Sequence, residues 1–211
     1  KLFALTALVV PLLCAVPSSS AAQTVATLAL GAAAPAFDLP GVDGRNWKLD
    51  DFASAKALVV VFTCNHCPTA QYYEERLKQF AADYRGKGVA FVAIMPNDPE
   101  SVRLDELGWS DMGDSFEDMK IRARDRGFNF PYLYDGDAEE VSRAYGPSAT
   151  PHVFVFDAAR KLRYVGAVDD AERVERVTKH YLRDVVDAVL AAAEPPVART
   201  KVVGCSVKWG G

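Results

Sequence analysis

The chain has 211 residues, of which 50% are hydrophobic and 25% are charged, and its formal net charge is -4. These values fit one globular domain of ordinary composition. Lys and Arg are scattered along the chain without a basic patch, which argues against a nucleic-acid partner.

Residues 1–22 have the three parts of a secretory signal peptide. Lys1 begins the segment, an apolar run extends from Leu2 to Val16, and the small residues Ser20 and Ala22 precede the expected cleavage after Ala22. The alternative is a membrane anchor, but an apolar run of about 15 residues is shorter than the roughly 20 that a span requires. We therefore predict a bacterial protein that is exported, either periplasmic or secreted, with no stable membrane span after cleavage.

After the leader, segments with strand and helix patterns alternate along the chain. The predicted strands are a short pair within 36–52, buried apolar runs at 56–63, 88–95 and 130–135, and a hairpin at 152–157 and 161–168. The predicted helices are 69–84, 115–126, 138–146 and 170–193. This order predicts an α/β fold with three layers, α/β/α, around a central mixed sheet. We expect one domain over residues 23–193 and an extended C-terminal tail over residues 194–211.

Acidic residues crowd the start of the predicted helix at 115–126. They are Asp111, Asp114, Glu117 and Asp118. Carboxylates suit the positive end of a helix dipole. We therefore interpret this cluster as a solvated helix start rather than a metal site.

Cys64 and Cys67 form a C-x-x-C motif between the strand at 56–63 and the helix at 69–84. We expect Cys64 at the start of the helix, where unpaired N–H groups and the helix dipole lower the pKa of a thiol. We expect Cys67 one turn into the helix, within reach of a mixed disulfide on Cys64. His66 would add to the stabilisation of the thiolate. A C-x-x-C within a β-α-β pattern indicates redox chemistry.

A lone C-x-x-C can also be half of a zinc site, which needs about four ligands. The remaining candidate ligands are His66, His152, His180 and Cys205. His180 lies on the predicted amphipathic helix and is most simply a surface residue. We therefore favour redox chemistry and predict neither a metal nor a cofactor.

Several segments together resemble the redoxin branch of the thioredoxin fold, the alkyl hydroperoxide reductase/thiol-specific antioxidant type. They are "APAFDLPGVDGR", "TCNHCP", "DSFEDMKIRARDRGFNFPYLYD", "SATPHVFVFD" and "KVVGCSVKW". The resemblance covers about residues 30 to 209, and the C-x-x-C is similar to that of a peroxiredoxin-like bacterial subgroup. It implies a thioredoxin-like three-layer fold.

The resemblance also implies roles for individual residues. Cys64 would be the attacking cysteine and Cys67 the resolving one. Pro151 matches the cis-proline of the family, which presents the backbone of Thr150 to an extended thiol partner; the alternative is an ordinary proline at the start of a strand. His66 matches the histidine before the second cysteine of protein disulfide isomerases.

Asn65 is grouped with His66 as a residue that tunes the redox properties of the pair. Cys205 would be either a third redox cysteine or an inert thiol packed under Trp209. Cleavage of the leader would remove Cys14.

Three functions remain open from the sequence. The first is an exported thiol–disulfide oxidoreductase that acts on protein thiols or disulfides. The second is a thiol-dependent peroxidase acting on hydroperoxides, because Pro68 follows Cys67 as a proline follows the peroxidatic cysteine of peroxiredoxins. In that alignment Cys64 replaces a threonine that helps to bind peroxide. The third is a copper carrier using Cys64, Cys67 and His66, since thiolates select Cu(I), but no Met-rich or His-rich tract supports it.

Overall fold

The computed structural model describes residues 25–107, 110 and 112–211. Nine strands are found in these residues: β1 (Asp38–Pro40), β2 (Asn46–Lys48), β3 (Ala57–Phe62), β4 (Val89–Met95), β5 (Tyr132–Tyr134), β6 (Ala149–Thr150), β7 (His152–Phe156), β8 (Leu162–Gly166) and β9 (Cys205–Ser206). The same residues contain five α-helices: α1 (Pro68–Tyr84), α2 (Leu104–Leu107), α3 (Phe116–Arg126), α4 (Glu140–Tyr145) and α5 (Tyr181–Leu190).

A mixed five-stranded sheet with the order β5-β4-β3-β7-β8 forms the centre of the domain. β3 pairs in parallel with β4 and antiparallel with β7, and β7 and β8 form the antiparallel hairpin at the edge. Every residue of β3 is buried, as expected for a strand with covered faces on both sides. The predicted fold class is therefore confirmed.

Two apolar cores lie on opposite faces of this sheet, because side chains alternate along a strand. On one face, Val59 and Val61 pack with buried residues of α1, α3 and α5. On the other face, Leu58 and Val60 pack with β1 and α4. The sheet is thus the middle layer of three.

Helix α1 begins and ends where local chemistry requires it. Pro68 is its first residue, a position at which proline is favoured because the missing N–H needs no partner. Gly86 and Gly88 follow the helix, and both have positive φ angles that glycine adopts without strain. Helix α3 likewise follows Ser115, whose side chain accepts a hydrogen bond from the Asp118 N–H.

The predicted helix over 170–193 is wrong in its first half, because α5 begins only at Tyr181. The carboxylate of Asp170 accepts backbone hydrogen bonds from Thr178 (2.8 Å) and Lys179 (3.0 Å) and closes residues 170–179 into a loop. Such side-chain contacts compete with helix formation. An apolar pattern alone does not reveal this competition.

The C-terminal segment folds back onto the domain. Arg199 bridges to Val165 of β8, and β9 pairs antiparallel with β6. We refer to residues 201–211 as the distal tail. The predicted leader at residues 1–22 lies outside the described residues, and within those described no helix is long and apolar enough to cross a membrane.

Candidate functional site

The C-x-x-C motif lies in a loop between β3 and α1, residues 63–67, which we call the cysteine loop. Helix α1 begins at Pro68, and Cys67 is its N-cap residue with an extended backbone. The prediction that Cys64 lies at the start of the helix is therefore wrong, because the first turn begins at Pro68, four residues after Cys64. The stabilisation that a helix N-terminus gives to a thiolate falls on Cys67.

The disulfide in this structure joins Cys67 to Cys205, which are 138 residues apart in sequence. Cys64 is the free cysteine among those that the structure describes, and it is buried. The predicted bond between Cys64 and Cys67 is thus not the one that this structure contains. Of the two expectations for Cys205, the inert thiol is wrong, because its sulfur is bonded to Cys67.

The peptide bond between Thr150 and Pro151 is cis, which confirms the predicted cis-proline. Thr150 contacts both cysteines of the motif. Its hydroxyl lies 3.0 Å from the Cys64 sulfur, and its carbonyl oxygen lies 3.6 Å from the Cys67 sulfur. Thr150 is also the register partner of Cys205 in the β6–β9 pair. The three described cysteines therefore converge on one residue of the cis-proline loop.

Asp114 holds the cysteine loop in place. Its Oδ1 accepts hydrogen bonds from the backbone N–H groups of Asn65 (2.9 Å) and His66 (3.1 Å). Its Oδ2 lies 2.6 Å from His66 Nδ1 and accepts a hydrogen bond of 2.6 Å from Asn97 Nδ2. The Asp114 side chain is fully buried, so the expectation of a solvated acidic cluster is wrong at this residue. Its role was missed because no sequence spacing links it to a loop 48 residues earlier.

Asn65 forms three further hydrogen bonds. Its side-chain amide donates to the Gly113 carbonyl (2.9 Å), and its Oδ1 accepts from the Tyr132 hydroxyl (3.2 Å). The Gln71 side chain donates to its backbone carbonyl (2.7 Å). The two residues predicted to tune the pair are therefore parts of one buried hydrogen-bond network.

The thiol of Cys64 is not activated in this state. Burial raises the pKa of Cys64, and the nearby Asp114 carboxylate raises it further. Hydrogen bonds from Thr150 and Asn97 oppose the shift only in part. The prediction that Cys64 titrates below a free thiol is therefore wrong for the state in which Cys67 is bonded to Cys205. Cys64 is protonated at neutral pH in this state, and a thiol is a poor nucleophile.

Cys64, His66 and Asp114 also place one potential metal-binding atom each within 4.8 Å of one another. However, both Asp114 oxygens already have two hydrogen-bond partners, and His66 Nδ1 is one of them. The other predicted ligands have separate surroundings: His152 Nδ1 accepts from the Ser148 N–H (3.1 Å), and His180 is the N-cap residue of α5. This donor set serves the hydrogen-bond network of the loop.

The distal tail is connected to the same network through Asn97. The Lys208 N–H donates to Asn97 Oδ1 (3.0 Å), while Asn97 Nδ2 donates to Asp114. Farther along, the Gly210 N–H donates to Glu139 Oε1 (2.7 Å). The tail that carries Cys205 therefore contacts both Cys67 and the residues that hold the cysteine loop.

Comparison with known proteins identifies the family. The Redoxin family model matches residues 29–182, which is more than half of the chain and includes both cysteines of the motif and Pro151. The chain belongs to the Redoxin family. Membership of this family supports an oxidoreductase or peroxidase activity.

Three known proteins are similar to this redoxin in sequence or in structure. The crystal structure of the hypothetical protein SMc02350 from Sinorhizobium meliloti 1021 has a TM-score of 0.77 at 35% identity and covers 88% of this chain and 97% of that one. A Mycobacterium tuberculosis H37Rv protein provisionally named peroxiredoxin Rv2521 is 25% identical over 144 residues, 68% of this chain and 80% of its own.

The third protein shows only a shared fold. It is a thiol:disulfide interchange protein of the thioredoxin family from Chlorobium tepidum TLS, with a TM-score of 0.55 at 19% identity over 79% of this redoxin and 99% of that chain. The thioredoxin-like fold that the sequence predicted is therefore confirmed.

Proposed function

We propose that this redoxin is a thiol–disulfide oxidoreductase in which Cys67 is the sulfur that exchanges with partner proteins. The observation that carries the proposal is the convergence of Cys64, Cys67 and Cys205 on Thr150, next to the cis peptide bond. One sulfur, Cys67, contacts this loop and is already joined in a disulfide to a cysteine from another part of the chain.

The electrostatic surroundings favour Cys67 over Cys64 as the exchanging sulfur. Cys67 caps α1, a helix of 17 residues, so a thiolate there faces the positive end of the helix dipole. Both sulfurs are buried, but Cys64 also has the Asp114 carboxylate nearby, and this negative charge disfavours a thiolate there. This assignment reverses the order that the family resemblance implied, in which Cys64 attacks first.

The exchange proceeds by two displacements at sulfur. In the reduced chain, the Cys67 thiolate attacks a partner disulfide, a mixed disulfide forms, and one partner sulfur leaves as a thiolate. Cys64 or Cys205 then attacks Cys67, the second partner sulfur leaves, and an intrachain disulfide forms. Two electrons pass from the chain to the partner. The reverse sequence oxidises a partner dithiol.

Asn65 and His66 would act as positioning residues. Asp114 fixes the backbone N–H groups of both residues and the His66 ring, which keeps the loop in one geometry. Thr150 and Pro151 would receive the extended partner segment. Pre-ordering the loop in this way reduces what must be rearranged when a partner binds.

Peroxide reduction is the second candidate, and the Cys67–Pro68 pair at the start of α1 favours it. Peroxide would oxidise Cys67 to a sulfenic acid, and Cys64 or Cys205 would resolve it with loss of water. Against this candidate, Cys64 replaces the threonine that the resemblance associates with peroxide binding.

We also propose that residues 1–22 direct export and that the mature domain begins near residue 23.

Two parallel assays on the same fully reduced protein sample separate the two functions. One measures reduction of a disulfide-bonded reporter protein, and the other measures consumption of hydrogen peroxide, both with a chemical thiol as the final reductant. We expect disulfide reduction to be the faster reaction at equal substrate concentration. Faster consumption of peroxide, with little turnover of the reporter, would favour the peroxidase and overturn the proposal.

A further inference from the structure

The distal tail occupies the edge at which a partner would pair. β9 lies antiparallel to β6, with Thr150 opposite Cys205 and Ala149 opposite Ser206. β6 ends directly before Pro151. Extended peptides commonly bind proteins by adding a strand to such an edge. Here the added strand comes from the same chain and carries a cysteine bonded to Cys67.

Gly204 allows the distal tail to lie this close to the cis-proline loop. A Cβ atom at position 204 would be 2.0 Å from the carbonyl oxygen of Thr150 and 2.8 Å from its carbonyl carbon. Both are backbone atoms and cannot turn aside. The requirement is for space rather than for an unusual backbone angle, because Gly204 is not among the glycines with positive φ.

A partner cannot reach the exchanging sulfur while the distal tail is docked. Cys67 has 0% of its surface exposed and Cys64 only 3%. Cys64 is nevertheless placed beside the bonded pair, because its sulfur and that of Cys67 contact the same Thr150. It is the free thiol that the structure provides next to this disulfide.

We propose that the distal tail is an internal substrate, which occupies the site for an extended segment with the sequence Gly-Cys, and that Cys64 releases it by attacking Cys67. This inference rests on the proposed function and names the substrate class. The docked tail indicates three features of a segment that the site accepts. The segment runs antiparallel to β6, its cysteine lies opposite Thr150, and a glycine precedes the cysteine.

The release step is an internal disulfide exchange. While the tail is docked the Cys64 thiol stays protonated, so the step begins when the tail loosens and admits water. The Cys64 thiol then loses its proton to water, and its sulfur forms a bond with the Cys67 sulfur. The bond between Cys67 and Cys205 breaks, its electron pair remains on Cys205, and the Cys205 thiolate takes up a proton. One disulfide replaces another, so the step needs neither an oxidant nor a reductant. The distal tail then leaves β6 with a free thiol.

The test uses the full chain, oxidised and free of reductant, with Cys205 labelling by a maleimide followed by mass spectrometry. The test variant is Gly204→Ala, which keeps all cysteines. The matched control is Gly211→Ala, because nothing lies within 4 Å of a Cβ at that position. A third protein combines Gly204→Ala with Cys64→Ser and removes the attacking thiol.

We expect Gly204→Ala to raise the rate of Cys205 labelling about tenfold, because the added methyl group overpacks against the loop. Disulfide mapping should show the Cys64–Cys67 bond in the labelled protein. Gly211→Ala should match the parent chain, and Cys64→Ser should return the labelling to the parent rate. Labelling of Gly204→Ala at the parent rate, or labelling that persists without Cys64, would overturn the inference.

A peptide pair tests the substrate class directly. The probe is a synthetic peptide with the sequence of residues 201–209, whose cysteine is joined in a mixed disulfide to a small aromatic thiol. The control peptide has the same mixed disulfide and carries Gly204→Leu. We expect the glycine peptide to form a mixed disulfide with Cys67 of the reduced Gly204→Ala protein about ten times faster. Equal rates would contradict the preference for Gly-Cys. If the parent chain reduces the reporter protein while these tests fail, the proposed function stands and only this inference falls.

Discussion

The cysteine loop and the distal tail meet at one disulfide, but they are held in place in different ways. All five residues of the loop are buried. The loop donates hydrogen bonds to Asp114 and accepts hydrogen bonds from Tyr132 and Gln71. In the distal tail only Val207 is buried, and the other residues are partly or fully exposed. Regions with few buried contacts open at a lower free energy than the core does. The loop is therefore the fixed half of the site, and the tail is the removable half.

Reducing the disulfide breaks the covalent link between the two regions and should have the largest effect. The bond joins residues 138 apart in sequence, and a disulfide that closes a loop of this length stabilises a fold by up to about 5 kcal/mol. We expect added reductant to lower the free energy of unfolding by a corresponding amount, which is measured as a lower midpoint of denaturant unfolding. Cys205→Ser should start from the lower midpoint and should not respond to reductant. An unchanged midpoint of the parent chain would show that the tail contributes nothing to the stability of the oxidised fold.

Asp114→Asn disrupts the fixed half alone. The new amide can accept only at its oxygen, so its N–H₂ group would face the donors of His66 and Asn97. We expect a loss of about 3 kcal/mol in the free energy of unfolding, because buried donors lose their acceptor.

Asp125→Asn makes the same change on the exposed surface of α3, where the Asp125 side chain is 55% exposed. It should cost less than about 0.5 kcal/mol. Equal losses in Asp114→Asn and Asp125→Asn would contradict the role given to Asp114.

His152 connects the stability of the site to pH. It follows Pro151, and burial, with a smaller contribution from the Arg199 charge, lowers its pKa from 6.5 to about 4. Below pH 6.5 the unfolded chain binds a proton that the folded chain does not, so stability is full above pH 6.5 and declines down to about pH 4. The decline attributable to His152 is at most about 3 kcal/mol.

His152→Asn removes this titration, while its side-chain oxygen can still accept from the Ser148 N–H. The difference in unfolding free energy between the parent chain and this variant should therefore change between pH 6.5 and pH 4. A difference that stays constant with pH would contradict a buried, neutral His152. Because other carboxylates titrate in both proteins, only the difference is informative.

Most of the fold could be predicted from the sequence, because local residue patterns specify its strands and helices. The apolar run at 56–63 became β3, the aromatic spacing after Pro68 became α1, and Ser115 started α3 as expected. The error at 170–180 came from the Asp170 side chain, whose bonds to Thr178 and Lys179 are not visible in an apolar pattern.

The candidate site was less predictable because its contacts join distant parts of the chain. Thr150, Pro151 and both motif cysteines were found from a local motif and a resemblance. The pairing of Cys67 with Cys205 and the support from Asp114 depend on how loops meet above the sheet. The pKa of Cys64 depends on burial by these same loops, so a rule about helix N-termini gave the wrong direction.

Trapping with single-cysteine chains tests the central claim, that Cys67 is the sulfur that exchanges with partners. Both proteins lack the leader, and each keeps one cysteine: Cys67 alone, or Cys64 alone, with serine at the other two positions. Each is mixed with a disulfide-bonded reporter protein, and mixed disulfides are counted on gels without reductant. We predict rapid trapping by the Cys67 chain and little by the Cys64 chain. If the Cys64 chain forms mixed disulfides and the Cys67 chain forms none, the account is contradicted and the order in which Cys64 attacks first is restored.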